Sequence, residues 1–131
     1  MASIFSRIVN GEIPCYKVAE NELFLAFLDV NPLVEGHTLV IPKKEIDYLF
    51  DIDDEMYLGL MAFAKRAAIA VKAVVPCKRV GVAVIGLEVP HAHIHLVPLQ
   101  VMNDINFSKA KLNPSAEQLS QMAAKISSAF V

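Results

Sequence analysis

Cysteine is scarce in this chain: Cys15 and Cys77 are the only two, they lie far apart, and no Cys-x-x-Cys occurs. That argues against cysteine-pair motifs and leaves two free thiols in a reducing compartment, so a cytoplasmic protein is expected. Long apolar runs are lacking as well. Lys65, Arg66, Lys72 and Glu88 interrupt the longest of them, and none reaches the ~20 residues a membrane-spanning helix needs. Arg7, Asn10 and Glu12 break any apolar stretch of the kind a secretory signal carries. No basic run exceeds Lys43-Lys44 and the formal net charge is −2, so neither duplex nucleic acid nor a membrane is an expected partner. The glycine-rich loops G-x-x-x-x-G-K-S/T and G-x-G-x-x-G are absent, which excludes those two ways of cradling phosphate. There is no internal repeat and no low-complexity tract.

What is present is apolar and compactly patterned. With 131 residues and 55% apolar content, residues 1–131 are expected to form one domain, with apolar surface left over for a partner subunit. Ser3 to Val9 reads as a capped helical turn with Ile4, Phe5 and Ile8 on one side. Tyr16 to Ala19, Leu23 to Leu28 and His37 to Ile41 read as strands. A helix starts among the acidic residues Asp51 to Asp54 and runs to Val74, before Pro76. It is apolar on most of its circumference, the pattern of a helix covered on more than one side. Val80 to Ile85 and Val89 to Val97 read as further strands, Asn103 to Asn113 as loop, and Pro114 to Phe130 as a closing helix capped by Asn113 or Ser115. The expected class is α+β: about five antiparallel strands, one long helix, a short N-terminal helix and a C-terminal helix.

Three of the four histidines fall in His91-Ala92-His93-Ile94-His95, between Pro90 and Pro98. On a strand, residues i, i+2 and i+4 share a face, so three imidazoles would line one surface at steps of about 6.8 Å. Imidazole alone among side chains titrates near neutrality without help, and it serves as acid, base, nucleophile or metal ligand. Three readings compete. The row is the outward face of an ordinary half-buried strand. Or a neighbouring pair, His93 and His95, joins a third ligand in a zinc site; the outer two, more than ~13 Å apart, cannot chelate together. Or a neutral imidazole attacks phosphorus while its neighbours bind phosphate or assist the leaving group.

At these residues the chain resembles the histidine-triad (HIT) superfamily, whose pattern is His-φ-His-φ-His-φ-φ with φ apolar. Here it reads His91-Ala92-His93-Ile94-His95-Leu96-Val97. Ile4-Phe5-Ser6-Arg7-Ile8, Leu25-Ala26-Phe27-Leu28-Asp29-Val30-Asn31-Pro32 and Gly36-His37-Thr38-Leu39-Val40-Ile41-Pro42-Lys43 resemble other family segments in the right order. The chain is most similar to the nucleotide-binding branch. The resemblance implies a purine nucleotide substrate, no cofactor, a homodimer, and a two-step hydrolase or nucleotidyl transferase, with phosphoramidates such as AMP conjugates as the substrate class. It implies that His93 attacks phosphorus, His95 contacts phosphate and assists the leaving group, His91 orients the row, and His37 is the family's fourth histidine. Asp29 would accept hydrogen bonds from the ribose diol; otherwise it is a strand-end turn former. Ile4, Phe5, Ile8, Phe27 and Val30 would line the base slot, although composition alone reads them as ordinary core. Lys43 and Lys44 read as a solvated pair.

Two departures from the family pattern stand out. Many family members carry a Gly-Gln-Ser type loop before the triad; this chain has Gly86-Leu87-Glu88. Glu88 would face phosphate unfavourably unless paired, protonated or turned away. It would pair with a cationic leaving group, or raise the pKa of a triad histidine. In addition, Ser3, Ser6 and Glu45 stand where some members place zinc-binding cysteines and a histidine, so the resemblance implies no structural zinc. The remaining functional readings are a zinc-dependent hydrolase using the histidine row and a nucleotide-binding protein with little turnover.

Overall fold

The computed structural model describes residues 2–131. Helix α1, Ile4–Val9, is capped by the Ser3 side chain, which accepts the Ser6 N–H. Three strands follow, β1 at Lys17–Glu20, β2 at Phe24–Leu28 and β3 at Thr38–Pro42. Helix α2, Asp54–Val74, starts at Asp53, whose carboxylate accepts the Met56 N–H. Strands β4, Arg79–Ala83, and β5, Ile94–Leu99, lead to helix α3 at Ala116–Ala129. Ser115, not Asn113, caps α3, and Gln118 returns the bond to the Ser115 N–H. The strands form one antiparallel sheet in the order β1-β2-β3-β5-β4.

Alternation along the strands divides the core. Phe24, Ala26 and Leu28 of β2, Val40 of β3, and Ile94 and Leu96 of β5 face α2 and α3. Leu25 and Phe27 of β2, with Leu39 and Ile41 of β3, face the other way and pack on Phe5 of α1. Both faces of β2 and β3 are therefore covered, and every residue in them is buried. The second, smaller core carries the histidines: Leu39 pairs with His95 across β3 and β5, so both side chains point to the α1 side.

One expectation fails in a way that matters. The histidine strand begins at Ile94, not at Val89. Pro90 has no N–H to donate, His91 N–H turns back to Val89 O at 2.8 Å, and Ala92 N–H goes to Ile46 O at 2.7 Å. His91 and His93 thus precede the ladder and do not continue a regular row. The strand also runs beyond Val97, through Pro98 to Leu99; past Leu96, β5 pairs only with β4, so one side of the ladder is open to a residue lacking an N–H.

The segment after β5 is not a plain connector. It contains a single turn of 3₁₀ helix, Met102–Ile105, and Leu112 N–H bonds Pro32 O at 2.9 Å. That bond holds the segment against the loop between β2 and β3. Within the same loop Gly36 has φ +89°, and an added Cβ would lie 2.6 Å from Val75 Cγ2. Only glycine brings the backbone close enough there to seat His37.

Candidate active site

A cleft of about 560 Å3 opens on the α1 side of the sheet. One wall is apolar: Ile4, Phe5 and Ile8 from α1, with Phe27 and Val30 from β2 and the residues after it. Phe5 meets Phe27 edge-on, ring centroids 5.6 Å apart. Asp29 lies at the end of β2 in the same cleft, half-buried, with one carboxylate oxygen accepting the Asn31 N–H at 2.9 Å. Burial pushes the Asp29 carboxyl above its ordinary pKa, against the pull of the Asn31 N–H and the positive Lys111. Gly86, Leu87 and Glu88 form part of the rim. Among the described residues no cation stands within salt-bridge distance of Glu88.

His93 and His95 both line the cleft, their ring centroids 4.9 Å apart. His93 itself sits just outside the regular ladder, which starts at Ile94. The edge-on ring of Phe5 packs 5.0 Å from His93. His91 does not join them in the cleft. It is fully buried, with Nδ1 2.9 Å from Ser3 Oγ and Nε2 2.7 Å from Pro42 O. His37 lies behind His95, also buried. The expected single line of three imidazoles is therefore a pair in the cleft, with one histidine inside the protein beneath α1 and the fourth behind His95.

The hydrogen bonds specify where the protons sit. A backbone carbonyl only accepts, so His93 Nδ1, 2.8 Å from His91 O, carries the hydrogen. In the neutral ring His93 Nε2 is then an unprotonated lone pair. By the same argument His91 donates from Nε2 to Pro42 O, and its Nδ1 accepts from Ser3 Oγ. On the other side, Leu33 N–H donates to His37 Nδ1 at 3.1 Å. His37 must then hold its proton on Nε2, which donates to His95 Nδ1 at 3.0 Å. That leaves the His95 proton on Nε2. Asp29 Oδ2 is 3.8 Å from His37 Nε2, too long to compete. Burial, reinforced by positive neighbours, depresses His37 to about 3 and His95 to about 4, so both are neutral near pH 7. One imidazole offers a lone pair and the next offers an N–H, about 5 Å apart, the combination that nucleophilic attack on phosphorus requires.

The same bonds bear on metal. Asp29, His37 and His95 bring donor atoms within 4.8 Å of one another. A metal on His37 Nε2 would need the ring proton on Nδ1, where a ligating histidine normally donates to an acceptor. Here Nδ1 faces the Leu33 N–H, so the donor set does not fit. Around His91 the neighbouring groups are the hydroxyls of Ser3 and Ser6 and the Glu45 carboxylate, a poor match to zinc's preference for thiolate and imidazole.

Two residues beside or near the cleft histidines come from a segment the sequence did not assign to the site. Phe107 packs edge-on to His95, centroids 4.8 Å apart, and Lys111 reaches the same cleft. Both lie in the segment expected to be plain loop. An isolated Phe and Lys in an aperiodic stretch carry no signal until Leu112 ties that stretch to Pro32.

The model of the HIT domain family matches residues 10–102. This chain belongs to the HIT family. The HIT protein is 36% identical over 132 residues to an uncharacterized HIT-like protein of Borreliella burgdorferi, covering 95% of each chain. It is 41% identical over 98 residues to the adenosine 5'-monophosphoramidase of Saccharomyces cerevisiae, covering 74% of this chain and 62% of the yeast protein. In fold it is similar to a Hit-like protein of Bartonella henselae involved in cell-cycle regulation, with TM-score 0.85, 30% identity, and coverage of 98% of this chain and 96% of that one. The five-stranded sheet and flanking helices of this HIT protein are those of its family. Among its described residues no helix is long and apolar enough to cross a membrane.

Proposed function

We propose that this protein hydrolyses purine nucleoside phosphoramidates, or related nucleotide conjugates, through a nucleotidyl-histidine on His93. The observation that carries the reading is the proton arrangement: His93 presents a bare Nε2 and His95 an Nε2–H to the same cleft. Similarity to the yeast adenosine 5'-monophosphoramidase supports the substrate class. The base lies against Phe5 and Phe27, with Ile4, Ile8 and Val30 beside it, and the ribose diol donates to Asp29. His93 Nε2 attacks the α-phosphorus. The bond from phosphorus to the departing nitrogen breaks, its electron pair stays on that nitrogen, and a water supplies the proton with which the amine leaves. His95 Nε2–H steadies the negative oxygens throughout. The hydroxide left by that water then attacks phosphorus, the bond to His93 breaks, and the nucleotide is released. His91 acts by holding His93 Nδ1 through its carbonyl.

A homodimer belongs to the same reading. Leu58 and Ile69 on α2 are 66% and 56% exposed, and Val82 on the sheet-edge strand β4 is 55% exposed. A second copy would cover this surface, and sedimentation of the pure protein tests it.

The deciding experiment is hydrolysis of an adenosine phosphoramidate by metal-free wild type and by His93→Ala. Turnover in wild type and a loss of about three orders of magnitude or more in the variant is expected. Restoration of wild-type activity by added zinc, with none in its absence, would favour a zinc hydrolase. AMP binding without turnover would leave a nucleotide-binding protein, a reading favoured by Leu87 and Glu88 at the rim.

A further inference from the structure

The N-terminal helix and the histidine loop are joined by a polar cluster outside the cleft. Glu45, in the loop after β3, accepts two hydrogen bonds on the same oxygen: Ser3 N–H at 2.6 Å and Ser6 Oγ–H at 2.7 Å. Ser3 Oγ accepts the Ser6 N–H at 3.0 Å and donates to His91 Nδ1 at 2.9 Å. His91 in turn donates from Nε2 to Pro42 O, and its carbonyl holds His93 Nδ1 at 2.8 Å. The next residue, Ala92, bonds Ile46 O, beside Glu45 in sequence. The ring of Phe5, carried by α1, rests against both His91 and His93. Among the described residues no buried side-chain polar atom lacks a partner, and each link of the run is directional.

We infer that Glu45, Ser3 and Ser6 form a metal-free clasp that positions the His93 imidazole and ties it to the helix carrying the apolar wall of the cleft. The inference rests on the proposed role of His93. Glu45 touches neither substrate nor reacting atoms; it is a positioning residue, acting through Ser3 and His91. Its two bonds fix the first turn of α1, which sets the Ser3 hydroxyl and hence the tilt of His91, whose tautomer Pro42 O already fixes. The His91 carbonyl then keeps the proton on His93 Nδ1 and the lone pair on Nε2. Among the described residues no ammonium group is part of the clasp, and the first contributors to the low Glu45 pKa, about 2, are the Ser3 N–H and then the Ser6 hydroxyl. Acceptance of hydrogen bonds is therefore the property that matters, and an amide oxygen can supply it.

The test compares Glu45→Ala, Glu45→Gln and Ser6→Ala in the 131-residue chain. Glu45→Ala is expected to lower kcat for an adenosine phosphoramidate about tenfold while raising KM no more than about threefold. Glu45→Gln recovers most of that loss, because its Oε1 still accepts from Ser3 and Ser6. Ser6→Ala falls between. The independent readout is ¹⁵N NMR of the histidine rings in the free protein. Wild type shows separate protonated Nδ1 and bare Nε2 signals for His93, and in Glu45→Ala these move toward one another as the tautomers mix. Unchanged kcat and an unchanged His93 ring pattern in folded Glu45→Ala overturn the clasp, as does a folded Glu45→Gln no better than Glu45→Ala. If Glu45→Ala does not fold by circular dichroism, Ser6→Ala decides by the same two readouts. If wild type shows no phosphoramidate turnover, the proposed activity fails, and the ring pattern alone decides the clasp.

Discussion

His37 Nε2 stands 3.0 Å from His95 Nδ1, and His37 Nδ1 receives the Leu33 N–H. A backbone amide in the loop between β2 and β3 thereby dictates which nitrogen of His95 carries its proton in the cleft. As in other histidine sites, the partner of one ring nitrogen decides the chemistry of the other.

Removing His37 should release that control. His37→Ala leaves His95 Nδ1 without its donor, so both tautomers become available and the Nε2–H is lost part of the time. The expected result is a fall in kcat of about tenfold with little change in KM, read in steady-state hydrolysis of an adenosine phosphoramidate. An equal rise in KM, with kcat intact, would instead mean that His37 serves nucleotide binding.

The buried histidines also set the acid stability. His37 and His95 are depressed from 6.5 to about 3 and about 4 by burial and by positive neighbours. Their unfolded forms bind protons first, so the stability they contribute is complete above pH 6.5. It declines as the pH falls from there toward their folded values. Asp29, raised by burial, works in the opposite sense. The melting temperature should therefore fall between about pH 7 and pH 5, and more shallowly in a His37→Gln variant. A flat wild-type profile over that range contradicts the burial of neutral imidazoles.

Asp29 should be read through the sugar. If its free carboxylate oxygen accepts from the ribose diol, a 2'-deoxynucleotide binds more weakly than its ribo counterpart by roughly tenfold. Asp29→Asn should level the two, measured as dissociation constants for AMP and deoxy-AMP. Retained discrimination in the variant would place ribose recognition elsewhere.

Glu88 should be read through the leaving group. It sits at the cleft rim with no cation in salt-bridge distance among the described residues. A conjugate whose departing amine bears a second positive charge should have the higher kcat/KM, by about threefold for an exposed pair. Glu88→Ser should abolish that preference, and the preference should shrink in high salt. Identical ratios and identical pH profiles in wild type and variant would remove Glu88 from the chemistry.

Much of the fold and part of the site were legible in the residues themselves. Short apolar runs in Leu23 to Leu28 and His37 to Ile41, bounded by turn residues, report strands buried on both faces, and the acidic start before a long apolar helix reports α2. The spacing of His93 and His95 likewise places both on one face. What spacing could not convey is how loops settle. His91 leaves the row because Pro90 and the Ala92–Ile46 bond end the ladder early. The protons on His93 and His95 are set by Leu33, His37 and the His91 carbonyl. Phe107 and Lys111 enter the cleft because Leu112 is tied to Pro32, and Ser3 and Glu45 meet across 42 positions of sequence. The sequence by itself determined the α+β class, the order of the main strands and helices, and the two-residue spacing of His93 and His95. The tertiary structure alone decided which nitrogen is bare and which is protonated, because a tautomer is set by hydrogen-bond partners brought from distant segments, and no local pattern encodes them.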